Sequence, residues 1–411
     1  MYGFPGLFSS AQIIGVTGTN GKSTTSSLTA FLYEKAGYKV AMASTVSFQI
    51  GDRKWKNKTH KTTEGRLALF SFLSQARKEK CDIVILEVSS HAIDQYRIWG
   101  ISFDAVVCTN LTPEHLDYHK TMEHYAMTKS FLFSQKKTKH RFLPQSFEYA
   151  SYFQKSTHVS KDIEYISLQD YSSDFVFQNI QRREKVSADL FYKNTFVSQV
   201  ETSLVGDFNL ENILFSIALF SSFASGWKDN LSVLAEFHPV PGRMELVYPV
   251  SEKIPSVYID YAVTPESFDL LYKELRKKTR GALWAVFGSC GDRDKIKRPF
   301  MGLKAVELCD YVIVTNEEPY TENRDTIIDQ VFLGTSDDFA KEHQTERLCV
   351  DPVRFFDRGD AISYAIENAQ PEDIIVVSGM GDQDTMIVGS QKIEWSDRTV
   401  ISNLLQKRLS L

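Results

Sequence analysis

The sequence predicts an α/β protein of two domains. The first is a P-loop parallel-sheet domain with a small antiparallel sub-sheet, and the second a smaller C-terminal Rossmann-like α/β domain. Three observations carry this. Apolar, β-branched runs such as Asp82 to Val88 (DIVILEV) and Asp104 to Asn110 (DAVVCTN) alternate with amphipathic stretches. That is the pattern of parallel strands covered on both faces by helices. Near the start, Gly15-Val16-Thr17-Gly18-Thr19-Asn20-Gly21-Lys22-Ser23-Thr24-Thr25 follows the apolar stretch Ala11 to Ile14 and precedes a helical pattern. Finally, Pro239-Val240-Pro241-Gly242 breaks the chain, and β-α alternation restarts beyond it. A length of 411 residues exceeds one typical core, so the domains are placed at 1–238 and 239–411.

Each element has a local reason. Ser23 to Ala36 keeps an apolar stripe (Leu28, Phe31, Leu32) and stops at Gly37, a residue suited to ending a helix. Lys39 to Thr45 reads as a strand and Arg66 to Lys80 as an amphipathic helix. From His140 to Val205 the texture changes to short alternating segments (Phe175-Val176-Phe177, Ala188 to Tyr192, Thr195 to Val200), the antiparallel sub-sheet. A helical pattern returns at Asn209 to Ser222. Beyond the break, Ser256 to Asp260, Ala282 to Phe287, Tyr311 to Thr315 and Ile374 to Ser378 read as strands. Repeated β-α units put active groups at the carboxyl ends of the strands.

Composition is that of a globular protein, 43% apolar and 24% charged, and a net charge of −5 argues against general nucleic-acid binding. The main basic cluster, Lys136-Lys137-Thr138-Lys139-His140-Arg141, reads as a solvated loop. The cysteines (Cys81, Cys108, Cys290, Cys309, Cys349) form no CxxC pair, and three lie in or beside apolar runs as buried thiols. Residues 1–14 show no charged segment followed by a long apolar core, and no apolar run approaches the ~20 residues of a membrane span. The expectation is a cytoplasmic monomer with neither membrane nor nucleic-acid partners.

The glycine loop would aim backbone N–H groups and a helix N-terminus at phosphate oxygens. Lys22 would reach the terminal phosphates and the Ser23 hydroxyl would ligate Mg²⁺. Five residues, not four, separate Gly15 from Gly21, which departs from the usual phosphate-loop spacing. Glu87-Val88-Ser89-Ser90-His91 puts a carboxylate at the end of a strand, well placed for the metal, or else forms a capping turn. Glu114 to His119 packs two histidines and two carboxylates into six residues. Lys129, taken alone, is a solvated lysine on an amphipathic helix. Gly206-Asp207-Phe208-Asn209-Leu210-Glu211-Asn212 opens a helix whose amides would read a purine edge or cap the helix. Arg243 would close onto a triphosphate, and Arg293, in Gly288-Ser289-Cys290-Gly291-Asp292-Arg293-Asp294, would clamp a substrate carboxylate in a bidentate pair.

Together these motifs resemble the Mur ligases, most closely those that add the third residue to UDP-N-acetylmuramoyl-L-alanyl-D-glutamate. The resemblance runs from about residue 11 to residue 405, through GVTGTNGKSTT, EVSSHAIDQYR, TNLTPEHLDYH, HYAMTKSFLF, GDFNLEN, PGRME, DYAVTPES, FGSCGDRDKIKRPFMG and SDRTV. It implies a P-loop ATPase domain and an ATP-dependent amide ligase of peptidoglycan precursor synthesis. ATP phosphorylates a substrate carboxylate, an amine attacks the acyl phosphate, and ADP and phosphate leave. The implied cofactors are ATP and Mg²⁺. Gly18, Thr19, Asn20, Gly21, Lys22, Ser23 and Thr24 correspond to the nucleotide cradle, Asn209 and Asn212 to its adenine side, and Arg243 and Asp260 to contacts from the second domain. Ser23, Glu87 and His115 match metal ligands or near-ligands. Lys129 matches a lysine the family carbamylates, which turns a cation into a metal-binding carboxylate and replaces the solvated reading. Lys22, His115 and Lys129 are thereby the implied catalytic set. The implied partners are a nucleotide-sugar peptide, held by Thr62, Thr63, Ser89, Gln95 and Arg97, and an amino acid, held by Arg293 with Tyr320, Gly379 and Gln383.

The departures from the family are as informative. About a dozen residues precede the first strand, so the family's N-terminal UDP-binding domain is expected to be lacking. Diaminopimelate-adding members carry Asp-Asn-Pro-Arg where this chain has Glu317-Glu318-Pro319-Tyr320, losing the arginine for the distal carboxylate. Gly379-Met380-Gly381-Asp382-Gln383 stands for Gly-Lys-Gly-His-Glu, so the glutamate that pairs with the distal amine is neutral Gln383. Val263 replaces a histidine near the nucleotide. These changes disfavour meso-diaminopimelate and leave lysine or another amino acid open. Two alternatives also stay open: a ligase on the same scaffold extending a folate or poly-amino-acid chain, and a non-catalytic ATP-binding module.

Overall fold

A computed structural model describes residues 11–59, 61–156, 163–183, 185–248, 253–349 and 351–410. Residues 1–10, which bear on the reading of a leaderless start, lie outside the described residues. The chain divides into two compact units, Met1–Pro239 and Val240–Leu411.

The first unit is laid on one 11-stranded sheet. In chain order it runs β1 (Gln12–Thr17), α1 (Lys22–Lys35), β2 (Val40–Ala43), β3 (Ser47–Ile50), β4 (Arg53–Lys56), α2 (Arg66–Lys78) and β5 (Ile83–Glu87). There follow α3 (Ser90–Asp94), β6 (Ala105–Cys108), α4 (Leu116–His119), α5 (Met122–Ser130), β7 (His140–Pro144), α6 (Ala150–Ser156) and β8 (Ile163–Ser167). The unit continues with β9 (Phe175–Arg182), β10 (Val186–Tyr192), β11 (Thr195–Thr202) and α7 (Asp207–Ser221). The sheet order is β11-β10-β9-β8-β7-β6-β1-β5-β2-β3-β4, parallel from β2 through β9 and antiparallel at both edges. Every residue of β5 is buried, as the apolar run requires of a strand covered on both faces. The antiparallel stretch is therefore the continuation of the main sheet, since β8 pairs with β9 in parallel. The β3–β4 hairpin at the other edge was not foreseen, because β4 (RKWK) is almost wholly lysine and arginine and shows no apolar alternation. One further expectation is corrected. Arg141, assigned to a solvated loop, is buried and donates to the carbonyls of Phe133 and Gln135 at 2.8 and 3.1 Å.

With β1 between β5 and β6, the loops leaving their carboxyl ends meet. Val88 N–H donates to the Val16 carbonyl (2.8 Å) and Thr109 N–H to that of Thr17 (3.0 Å).

The second unit carries a six-stranded sheet, β12-β13-β17-β14-β15-β16. Its strands and helices are β12 (Glu245–Leu246), β13 (Ser256–Asp260), α8 (Pro265–Lys278), β14 (Leu283–Phe287), α9 (Lys297–Leu308), β15 (Tyr311–Val314), α10 (Arg324–Leu333) and α11 (Asp337–Glu342). After them come β16 (Val353–Arg354), α12 (Arg358–Asn368), β17 (Ile374–Ser378), the hairpin β18 (Thr385–Val388) and β19 (Gln391–Glu394), and α13 (Asp397–Leu409). Thr264 and Ser267 cap α8 reciprocally, with Pro265 in its first turn. Buried Arg358 ties α12 to α13 through a two-pronged pair with Asp397 (2.8 and 2.7 Å) and donates to the Ser378 carbonyl (2.9 Å). All five cysteines are free thiols, four of them buried. Among the described residues no helix is long and apolar enough to cross a membrane.

Candidate active site

Two glycines shape the loop between β1 and α1. Gly18 has φ 138°, and a Cβ there would lie 2.0 Å from Thr109 Oγ1; Gly21 has φ 83°, and its Cβ would lie 2.3 Å from Asn212 Oδ1. Neither position admits a side chain. The loop is braced from β6, where Asn110 Oδ1 accepts from Asn20 N–H (2.8 Å) and Thr109 Oγ1 donates to the Asn20 carbonyl (2.6 Å). The Thr19 hydroxyl accepts from Thr112 N–H at 3.0 Å. Lys22 Nζ bends over the loop and donates to the carbonyls of Gly18 (3.0 Å) and Thr19 (2.5 Å). Thr24 is buried in the first turn of α1.

Beside the loop, the Ser23 hydroxyl donates to Glu87 Oε1 at 2.9 Å, and Glu87 Oε2 accepts from Thr45 N–H. Glu87 is 1% exposed. A hydroxyl and a buried carboxylate next to a phosphate cradle are the oxygen donors that Mg²⁺ takes, together with phosphates and water. Among the described residues no group of three or more His, Cys, Asp or Glu side chains forms a self-sufficient cage.

Lys129 is 1% exposed, on the buried side of α5. Its Nζ donates to the Gly18 carbonyl at 2.9 Å and lies 4.7 Å from the Tyr125 ring centre. Burial, reinforced by the Lys22 charge, pulls its pKa down to about 7. His115 (φ 57°) is partly buried, its ring 4.6 Å from that of His91 and 6.4 Å from that of Tyr125. Burial lowers its pKa against the opposing pull of Glu114. Asn209 and Asn212 are both buried at the start of α7. Asn209 donates to the Val205 carbonyl (2.7 Å), and Asn212 Oδ1 accepts from Thr25 Oγ1 (3.2 Å) against Gly21.

Four of the five residues expected to hold the peptide substrate come together. Thr63 Oγ1 donates to the Glu87 carbonyl (2.9 Å) and accepts from Ser89 N–H (3.0 Å). Arg97 donates to the Thr63 carbonyl (3.1 Å) and, through Nε, to Gln95 Oε1 (3.0 Å). Thr62 adjoins them, half-buried.

In the second unit Asp260 accepts from the N–H groups of Met244 (2.6 Å) and Ala262 (2.7 Å), while the Arg243 guanidinium lies 4.4 Å from the Tyr261 ring centre. Burial raises the Asp260 pKa, and Arg243 opposes that rise. Arg293 lies 5.4 Å from the Tyr320 ring centre, and the Tyr320 hydroxyl donates to Glu318 Oε2 at 3.2 Å. Gly379 (φ 111°) has no room for a Cβ, which would meet Glu317 Oε2 at 2.4 Å. Sequence reasoning assigned no role to Glu317 or Glu318, which stand where the family's motif was used only to note a lost arginine. Cys290 Sγ donates to Glu317 Oε1 (2.9 Å), and burial with the neighbouring Glu317 raises the Glu318 pKa to about 7. Among the described residues Glu317 Oε2, Gln383 Oε1, Ser289 Oγ and Thr315 Oγ1 are buried with no hydrogen-bond partner. These orphaned groups follow β14, β15 and β17, where a bound ligand would supply the missing bonds.

Comparison with known proteins bears on both units. Residues 16–220 match the Mur ligase middle domain, and residues 242–381 match the Mur ligase glutamate ligase domain. A UDP-N-acetylmuramoyl-L-alanyl-D-glutamate–2,6-diaminopimelate ligase of Trichormus variabilis is 35% identical over 415 residues, covering 100% of this chain and 80% of the relative. The chain belongs to the Mur ligase family. The ligase of the same name from Geobacillus kaustophilus is 33% identical over 401 residues, covering 97% of this Mur ligase and 79% of the relative. A solved structure of a ligase of that name superposes with a TM-score of 0.64 at 28% identity, over 97% of this chain and 79% of the other. Folylpolyglutamate synthase of Mycobacterium tuberculosis shares the fold alone, with a TM-score of 0.65 at 15% identity over 91% and 89% of the two chains. This Mur ligase is an ADP-forming acid–amino-acid ligase of peptidoglycan synthesis.

Proposed function

We propose that this Mur ligase phosphorylates one of the two free glutamate carboxylates of UDP-N-acetylmuramoyl-L-alanyl-D-glutamate with ATP and joins the activated acyl group to an amino acid. The observation that carries the reading is the assembly at the carboxyl ends of β1, β5 and β6. A glycine loop that admits no Cβ, the Ser23–Glu87 pair, buried Lys129 and the Thr63–Ser89–Arg97 cluster stand on adjoining loops there. The first unit serves as the ATP-binding domain and the second as the amino-acid domain, acting as a monomer in the cytoplasm. Support for the compartment comes from five free thiols.

In the first step a carboxylate oxygen bonds to the terminal phosphorus and ADP leaves. The loop amides and Lys22 offset the charge on the phosphates. Ser23 and Glu87, with His115 and Lys129 nearby, would hold Mg²⁺, which when bound draws charge from the transferring phosphoryl group. Lys129 fits carbamylation. With a pKa near 7, part of it is neutral amine at physiological pH, and its nitrogen bonds to CO₂ with release of a proton. The product is a carboxylate in place of a buried cation. In the second step the amine nitrogen bonds to the acyl carbon, phosphate departs and the amine loses a proton. Arg293 would take the amino acid's carboxylate. The relatives are named for 2,6-diaminopimelate, but Tyr320 offers no cation to a second carboxylate and Gln383 offers no charge to a distal amine. An amino acid with one carboxylate is therefore the preferred partner.

The test is ADP release from ATP with the UDP-muramoyl dipeptide and a panel of amino acids, with hydroxylamine trapping the acyl phosphate as a hydroxamate. Amine-dependent ADP release is expected. Absence of both hydroxamate and amine-dependent turnover across the panel rejects the reading.

A further inference from the structure

Arg293 and Tyr320 stand on two loops, one after β14 and one after β15, and their 5.4 Å approach depends on how those loops are fastened. Successive residues of the first loop are tied to the second. The Cys290 carbonyl accepts from Arg298 Nη2 at 2.9 Å, and the same guanidinium pairs with Glu322. Gly291 N–H donates to the Glu318 carbonyl at 2.8 Å. A Cβ on Gly291 would lie 1.8 Å from the Pro319 carbonyl oxygen, so only glycine lets the loops come this close. Asp292 N–H donates to Glu322 Oε1 at 2.6 Å. The Asp292 carboxylate accepts from the Thr321 N–H at 3.1 Å and from its hydroxyl at 2.9 Å. The fastening therefore has a buried root, Arg298, and an exposed tip, Asp292 with Thr321.

The tip is built at a conformational cost. Asp292 (φ 51°) and Tyr320 (φ 49°) both hold left-handed backbone. Aspartate tolerates that region, but a bulky aromatic residue there is an outlier. Such strain persists only where the surroundings over-determine it, and it gathers at ligand clamps. Each strained residue here belongs to or adjoins the Asp292–Thr321 contact, and together they carry the facing pair: Arg293 follows Asp292, and Tyr320 precedes Thr321. The buried Arg298–Glu322 pair already joins the two loops, and bonds as exposed as those of Thr321 add little to stability. They do fix where a guanidinium stands, and a clamp misplaced by about 1 Å loses much of its effect. We propose that Asp292 and Thr321 are positioning residues, which set Arg293 against Tyr320 so that the pair meets the carboxylate of the incoming amino acid in one geometry. This rests on the reading that Arg293 takes that carboxylate.

The experiment varies the best amino acid of the panel at saturating ATP and UDP-muramoyl dipeptide. It compares wild-type protein with Thr321→Val, Thr321→Ser, Asp292→Ala and Arg293→Ala. Hydroxamate formation without any amino acid reports carboxyl activation alone, and circular dichroism confirms that the variants fold. Thr321→Val and Asp292→Ala are each expected to lower kcat/KM for the amino acid roughly tenfold, chiefly through KM, while hydroxamate forms at the wild-type rate. Thr321→Ser, which restores the hydroxyl, should return KM to the wild-type value. The double variant Asp292→Ala with Thr321→Val should be no worse than the poorer single one, because the two changes remove one contact. An unchanged KM in both single variants, an equal fall in hydroxamate formation, or a serine variant that behaves like valine overturns the positioning role while hydroxamate upholds the ligase reading. If Arg293→Ala leaves KM for the amino acid unchanged, the assignment of Arg293 falls and this inference with it. Absence of both hydroxamate and amine-dependent turnover overturns the ligase reading as well.

Discussion

Lys129 sits where its proton is easily lost. It is enclosed by α5 and the glycine loop, with Lys22 nearby, and it donates to the Gly18 carbonyl and the Thr17 hydroxyl. Arginine at this position keeps the cation, cannot lose its proton and cannot take up CO₂. Lys129→Arg is expected to lower turnover about 10²-fold or more while nucleotide binding, followed by calorimetry, persists. Depleting bicarbonate should slow the wild type and leave the variant's residual rate unchanged. Equal wild-type rates with and without bicarbonate would exclude carbamylation. At position 320 the change is one of specificity. Tyr320→Arg places a guanidinium beside Glu318 and Arg293, and kcat/KM for meso-diaminopimelate should rise about 10- to 100-fold relative to lysine. An unchanged ratio in the amino-acid panel would remove residue 320 from acceptor choice. Lys129 was illegible from periodicity, which sees a lysine on an amphipathic helix and cannot see which loop folds over it. The run of motifs supplied the reading that spacing could not. Glu317 and Glu318 were legible only as letters, because their burial depends on β14, β15 and β17 lying side by side.

Elements were read well where burial is two-sided. Ile374–Ser378 matches strand β17 to the residue, since its fully buried apolar run leaves little choice of boundary; Ser256–Asp260 also matches β13, although burial there alternates along the strand. The β3–β4 hairpin escaped because its outer strand is solvated. The connections of the second unit depend on a salt bridge no pattern announces. Arg298, 0% exposed on α9, donates to both oxygens of Glu322 (3.1 and 3.0 Å) in the loop before α10. Its bonds hold Glu322 down to about 2. The folded value lies below the unfolded one, so this stabilisation is present above the ordinary carboxylate range and is lost as pH falls toward about 2. Glu322→Gln should therefore cost about 2–4 kcal/mol near neutral pH, and the gap to wild type should close in acid. Urea unfolding of the two proteins at several pH values measures it. A gap that stays constant across the acid range would show that the pair's charge contributes nothing.

At the scale of the whole molecule, the compact units divide at Pro239 and Val240, inside the proline-rich break visible in the sequence. Each unit carries its own sheet and core. The glycine loop belongs to the first, so a nucleotide bound there would be coupled to that unit's folding. A ligand bound only by the folded state stabilises it by about 2.7 kcal/mol at a hundredfold excess over its dissociation constant. Heating the full chain with and without ATP and magnesium should therefore raise the melting transition of the first unit. Gly21→Ala is the control. Its Cβ would meet Asn212 Oδ1 at 2.3 Å with the backbone held at φ 83°, so the loop must shift to accept it. The variant is expected to fold with a loss of about 1–3 kcal/mol and to lose the ATP-dependent rise. If Gly21→Ala kept the full rise, the nucleotide would be bound elsewhere, and the carbonyls and amides of this loop would have to be explained as a structural turn.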